Sequence, residues 1–90
     1  MIADAKRRLP LPDLLRLLDL GEHAKKSARC PLHQDRTASF SVFHGTHGWR
    51  WKCHAGCGAG DEITFLEKWR DLDRTAAIRF FVTMSKGGAA

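Results

Sequence analysis

Three cysteines and two of the five histidines in this 90-residue chain fall into two short clusters. Cys30-Pro31-Leu32-His33 sets a thiol and an imidazole two residues apart, and Cys53-His54-Ala55-Gly56-Cys57-Gly58 carries the remaining thiols. Three cysteines cannot all pair as disulfides, and a reducing compartment would not maintain such bonds. Soft thiolates with one imidazole suit Zn²⁺, which closes a tetrahedron with Cys₃His-type sets. The expected ligands are Cys30, His33, Cys53 and Cys57, holding one structural Zn²⁺. His54 is the alternative to Cys53, because His54-x-x-Cys57 makes a tighter loop; Cys53 is preferred as the stronger ligand and as the continuation of its strand. Gly56, Gly58 and Gly60 let backbone amides turn towards sulfur. His23, His44 and His47 lie in polar contexts and read as surface histidines.

Such ligands need rigid elements on both sides. Leu9-Pro10-Leu11-Pro12 reads as an extended lead-in, with Pro12 suited to a helix's first turn. Leu14, Leu15, Leu17, Leu18 and Leu20 then follow helical spacing up to Gly21, predicting a helix over 12–20. Phe40–Phe43 and the strictly alternating Trp49–Cys53 read as strands joined by a glycine-containing hairpin, with Ala28-Arg29-Cys30 as a possible third strand. Asp61 is a good N-cap for a helix to about Trp69, and Asp73 for another to about Met84. The expected architecture is a small α+β domain: a zinc ribbon over 28–60, built on an antiparallel hairpin or three-stranded sheet with zinc knuckles, and flanked by short helices. The C-terminal helices would occupy 61–84, and residues 1–90 would form a single domain.

Charge is distributed unevenly. Fifteen basic against ten acidic residues give +5, and all of that excess lies in residues 25–52, where Lys25, Lys26, Arg29, Arg36, Arg50 and Lys52 oppose Asp35 alone. The segments on either side each balance to zero. A localised excess of this kind is either a solvated basic face or the footprint of a polyanion such as nucleic acid. At 43% hydrophobic and 28% charged, the chain matches neither a solvated tail nor a membrane protein. No apolar run approaches the ~18 residues of a membrane span, and no secretory signal follows Met1, so a cytoplasmic location is expected.

Taken together, the segments resemble the zinc-binding domain of bacterial and phage-type DNA primases. The resemblance runs through Cys30-Pro31-Leu32-His33-Gln34-Asp35-Arg36-Thr37-Ala38-Ser39-Phe40-Ser41-Val42 and Cys53-His54-Ala55-Gly56-Cys57-Gly58-Ala59-Gly60-Asp61, and covers roughly residues 10–84. Two departures stand out: Ala38 replaces the usual proline, and the second cysteine pair is separated by three residues rather than two.

The resemblance implies a non-catalytic module that contacts single-stranded template DNA while a separate polymerase domain begins an RNA primer. Its partners would be the template, a catalytic primase domain or subunit, and a helicase, with no membrane. About 30 residues follow the ribbon, too few for a catalytic domain, so the chain is expected not to synthesise primers alone. Strand alternation puts Arg50 and Lys52 on one face and Trp49, Trp51 and Cys53 on the other. Arg36, Arg50 and Lys52, with Arg29, Lys25 and Lys26, would line a groove following phosphates, and Phe43 is the preferred stacking residue. Trp49 and Trp51 read first as core. An alternative is a zinc-stabilised protein–protein adapter in a replication complex, working through the leucine-rich first helix. Four protein ligands would leave zinc no open position for catalysis.

Overall fold

A computed structural model describes residues 2–32, 39–46, 48–56 and 58–87. Two short helices open the chain, α1 (Ile2–Arg8) and α2 (Leu11–Leu17), followed by one 3₁₀ turn at Gly21–His23. Strands β1 (Phe40–Gly45), β2 (Gly48–Cys53) and β3 (Gly58–Gly60) come next, then helices α3 (Glu62–Trp69) and α4 (Arg74–Gly87).

The first two prolines divide the opening helices. Pro10, extended at ψ 159°, caps α2, while Pro12 stands in its first turn, where a missing N–H costs nothing. Helix α1 was not expected. Asp4 in its first turn and Lys6, Arg7 and Arg8 in its last complement the helix dipole, and Ala5 and Leu9 are buried.

Helix α2 ends before Leu20 and without Gly21. Asp19 takes the left-handed conformation (φ 64°), and the Leu20 N–H reaches back to the Leu15 carbonyl at 2.7 Å while that of Asp19 reaches Arg16 at 3.1 Å. Helix α3 stops the same way, with Asp71 at φ 53° and the Leu72 N–H on the Glu67 carbonyl. Aspartate is among the few residues other than glycine that visit this region.

The sheet is antiparallel in the order β1-β2-β3. Gly45 pairs with Gly48 at the hairpin end. The third strand is not Ala28–Cys30, which makes only a single bridge from Ala28 to Phe40, but the Gly58-Ala59-Gly60 run against β2. Close approach requires glycine there. Gly58 has φ +135°, and a Cβ on Gly60 would come within 2.6 Å of the Thr64 side chain.

One face of the sheet is core. Phe40, Val42, Trp51 and Cys53 are buried on it and pack with Leu11, Leu14 and Leu15 of α2, Ile63, Phe65 and Leu66 of α3, and Ala77 and Phe81 of α4. Trp51, fully buried, stacks on Phe40 with centroids 5.8 Å apart and meets Phe65 edge-on at 5.9 Å. Its indole N–H donates to the Asp61 carbonyl at 2.9 Å. Asp61 and Asp73 cap α3 and α4 as expected, through the amides of Thr64 (3.1 Å) and Ala76 (2.7 Å).

Candidate functional site

Both described cysteines lie at one end of the sheet. Phe40 opens β1 and is flanked on one side by Ala28 and on the other by Cys53, the last residue of β2. Cys30 follows Ala28, so the two thiol-bearing segments bracket the same end of β1. Each cysteine is 3% exposed. The Cys53 sulfur is 3.8 Å from the hydroxyl oxygen of Ser39, itself buried. The His54 N–H donates to the Ser39 carbonyl at 2.7 Å, and the Gly56 N–H to that of Cys53 at 3.1 Å, with Gly56 at φ +96°. That turn buries the Cys53 side chain and leaves the His54 ring exposed.

Two buried thiols on hydrogen-bonded segments at one sheet end are donors of the kind a structural zinc takes. His33, Cys57 and Arg36 lie outside the described residues. Among the described residues, no three His, Cys, Asp or Glu side chains converge as a metal-binding group.

His23 differs from expectation. Its side chain is only 16% exposed, and Nδ1 lies 2.6 Å from the Arg29 carbonyl. A carbonyl only accepts, so Nδ1 carries the proton and the ring ties the 3₁₀ turn to the residue before Cys30. His23 and Ser39 were missed because their roles depend on contacts across the fold. His47 lies outside the described residues.

The opposite face of the sheet is open. Phe43 pairs with Arg50, and Ser41 with Lys52, across the β1–β2 ladder. Phe43 is 38% exposed, and Arg50 and Lys52 are exposed beside it. Lys25 and Lys26 run along the β1 edge, where the Val42 N–H donates to the Lys25 carbonyl at 2.9 Å. Arg29 is exposed nearer the cysteine end. Lys6, Arg7, Arg8, Arg16 and Arg74 have acidic partners, whereas among the described residues Lys25, Lys26, Arg29, Arg50 and Lys52 make no ion pair.

A second charged group braces α1 against α3. Lys6 Nζ lies 2.7 Å from Asp61 and 3.8 Å from Glu62. Burial pushes the Asp61 carboxyl up, but the hydrogen bonds from Lys6 and from the amide and hydroxyl of Thr64 outweigh it and bring it to about 2. Glu62, 2% exposed with Oε1 lacking a hydrogen-bond partner, is pushed upwards by burial.

A carboxyl lowered on folding contributes stability above its unfolded value of 3.8 and loses it as pH falls towards 2. Asp61→Asn keeps a capping side chain but loses the charge. It is expected to cost roughly 2 kcal/mol at pH 7, with the deficit shrinking below about pH 4. Paired urea titrations of parent and variant across that range measure it.

No helix among the described residues is long and apolar enough to cross a membrane. Neither the curated proteins nor the solved structures include a significant match to the chain. The family described as the CHC2 zinc finger, the zinc ribbon of DnaG, matches residues 12–87, which takes in both cysteine clusters, the whole sheet and the last two helices. The chain therefore belongs to the CHC2 zinc finger family, the zinc-binding domain of DnaG-type primases.

Proposed function

We propose that this protein is the template-binding zinc module of a DNA primase, holding single-stranded DNA while a separate catalytic domain or subunit begins a primer. One zinc, held by Cys30, His33, Cys53 and Cys57, supplies structural cross-linking and no open coordination site. Burial of Cys53 with exposure of His54 supports the thiol as the second-cluster ligand. Residues 1–90 act as one domain, with the ribbon at 28–60 between the helix predicted at 12–20 and those at 61–84.

The observation that carries the reading is the open sheet face, where Phe43, Arg50 and Lys52 sit together without acidic partners among the described residues. Arg50 and Lys52 contact phosphates there, Phe43 stacks a base, and Lys25, Lys26, Arg29 and Arg36 extend the positive track. The adapter alternative draws less support, since Leu11, Leu14 and Leu15 are fully buried in the chain's own core and only Leu17 of that helix is largely exposed.

Fluorescence anisotropy with a labelled oligodeoxynucleotide at several salt concentrations tests this. The zinc-loaded protein is expected to bind weakly and salt-sensitively. Each phosphate contact contributes about 0.7 to the logarithmic salt slope for a single strand, so Arg50→Ala/Lys52→Ala is expected to lower it by about 1.4. Equal affinity and slope in both proteins would remove this face from the site.

A further inference from the structure

The open face is not the only surface suited to an unpaired strand. His44 and Trp49 are cross-strand partners near the hairpin end, with rings edge-to-face at 5.2 Å. They stand on the other face of the sheet from Phe43 and Arg50, yet Trp49 is only half-buried and His44 is exposed. A cleft of about 900 Å³ is lined by this pair together with Pro10 and Pro12 at the start of α2, and Phe43 at the sheet edge reaches it as well. Lys25 and Lys26 line its rim, with no acidic partner among the described residues. Asp13 also lines it, but Arg16 holds that carboxylate at 2.5 Å. A second cleft of about 400 Å³ shares the same two rings and is lined by Arg50 and Arg7, and by Asp61 and Glu62, whose carboxylates face Lys6. The two aromatics thus form a partition with cationic side chains on either side.

We propose that the cleft between the α2 prolines and the His44–Trp49 pair holds one unstacked base of single-stranded DNA, with Lys25 and Lys26 on its phosphates on one side and Arg50 on the next phosphate on the other. This deepens the template-binding reading and rests on it. Flat apolar walls facing a half-buried indole suit a base, and stacking on an aromatic requires no particular sequence. Cations without acidic partners on both sides suit a ligand that carries a negative charge at every step of its length. A peptide of mixed charge would not use them all. Arg50 is the hinge between the two surfaces, since it lies opposite Phe43 on one face and lines the cleft beyond Trp49 on the other.

The test uses the zinc-loaded full chain with Trp69→Phe, which leaves Trp49 and the fully buried Trp51 as emitters. Titration with oligothymidylate is expected to quench emission, and replacement of the oligomer's bases by abasic residues to abolish the quench. Trp49→Ala is expected to weaken binding roughly 5- to 150-fold, the range for losing one stacked base. Trp49→Phe, which keeps a ring, should hold affinity within about threefold of parent. If Trp49→Ala fails to fold, the quench and the Trp49→Phe variant decide alone. Salt-sensitive oligomer binding without quench would overturn the cleft and leave the open-face reading standing, whereas no oligomer binding by the parent would bring down both. Quenching by free thymidine triphosphate equal to that by the oligomer would assign the cleft to a nucleotide, and tighter binding of the matching RNA would assign it to RNA; either overturns the DNA-strand proposal.

Discussion

Stripping the metal with a chelator, or replacing Cys30 with Ser, is expected to abolish cooperative unfolding of the ribbon at 25 °C. Structural zinc contributes on the order of 10–16 kcal/mol of apparent folding free energy, against roughly 5–15 kcal/mol of net stability for a whole domain. Among the described residues, the backbone pairing at the cysteine end is slight. Ala28 makes only an isolated bridge to Phe40, and β3 is three residues long. Cys30 and Cys53 are also part of the buried core, in one cluster with Phe40 and Trp51. Releasing the metal would therefore loosen the packing of the sheet against α2 and α3, not just a surface loop. Near-UV circular dichroism during chelator titration, with zinc added back, measures the effect. A metal-free protein with unchanged melting temperature would contradict it.

Replacing Trp51 with Ala is expected to cost about 3–5 kcal/mol in the zinc-loaded protein, the usual range for deleting a large buried aromatic. Trp51 touches Phe40 and Phe65 and pairs across the ladder with both Val42 and Gly60. The space beside it is tight, since a Cβ on Gly58 would lie 3.2 Å from the indole. Its N–H bond to the Asp61 carbonyl is less critical, because that carbonyl also accepts from the Phe65 amide at 3.0 Å. Trp51→Phe should consequently cost less than half as much as Trp51→Ala. Urea unfolding of both variants checks this, and a loss below 1 kcal/mol for Trp51→Ala would contradict the packing described.

What the sequence makes legible is the chemistry with a fixed period. Alternation along Trp49–Cys53 separates a buried face from a cationic one, and the structure keeps Arg50 and Lys52 exposed while burying Trp51 and Cys53. Asp61 and Asp73 announce α3 and α4 because capping is local. Features decided by distant contacts are not legible in this way. Gly58-Ala59-Gly60 has no strand propensity and becomes β3 because β2 and Thr64 leave room for little else. Helix α1 is too short to stand on propensity alone and is held by packing on α4 and by Lys6 against Asp61. Gly21 looked like a helix stop, yet the left-handed residue is Asp19, fixed by the return bond from Leu20. The His23 bond to Arg29, the Ser39 contact with Cys53 and the His44–Trp49 partition join residues that spacing alone does not associate.

The most direct measurement of the central claim is X-ray absorption at the zinc edge on the purified, metal-loaded chain. One zinc per chain is predicted, with three sulfurs at about 2.3 Å and one nitrogen at about 2.0–2.1 Å, and with the sulfur number falling to two in Cys53→Ser while His54→Ala leaves it at three. Two sulfurs and two nitrogens in the parent would replace Cys53 by His54, and a chain that takes up no zinc would contradict the account outright.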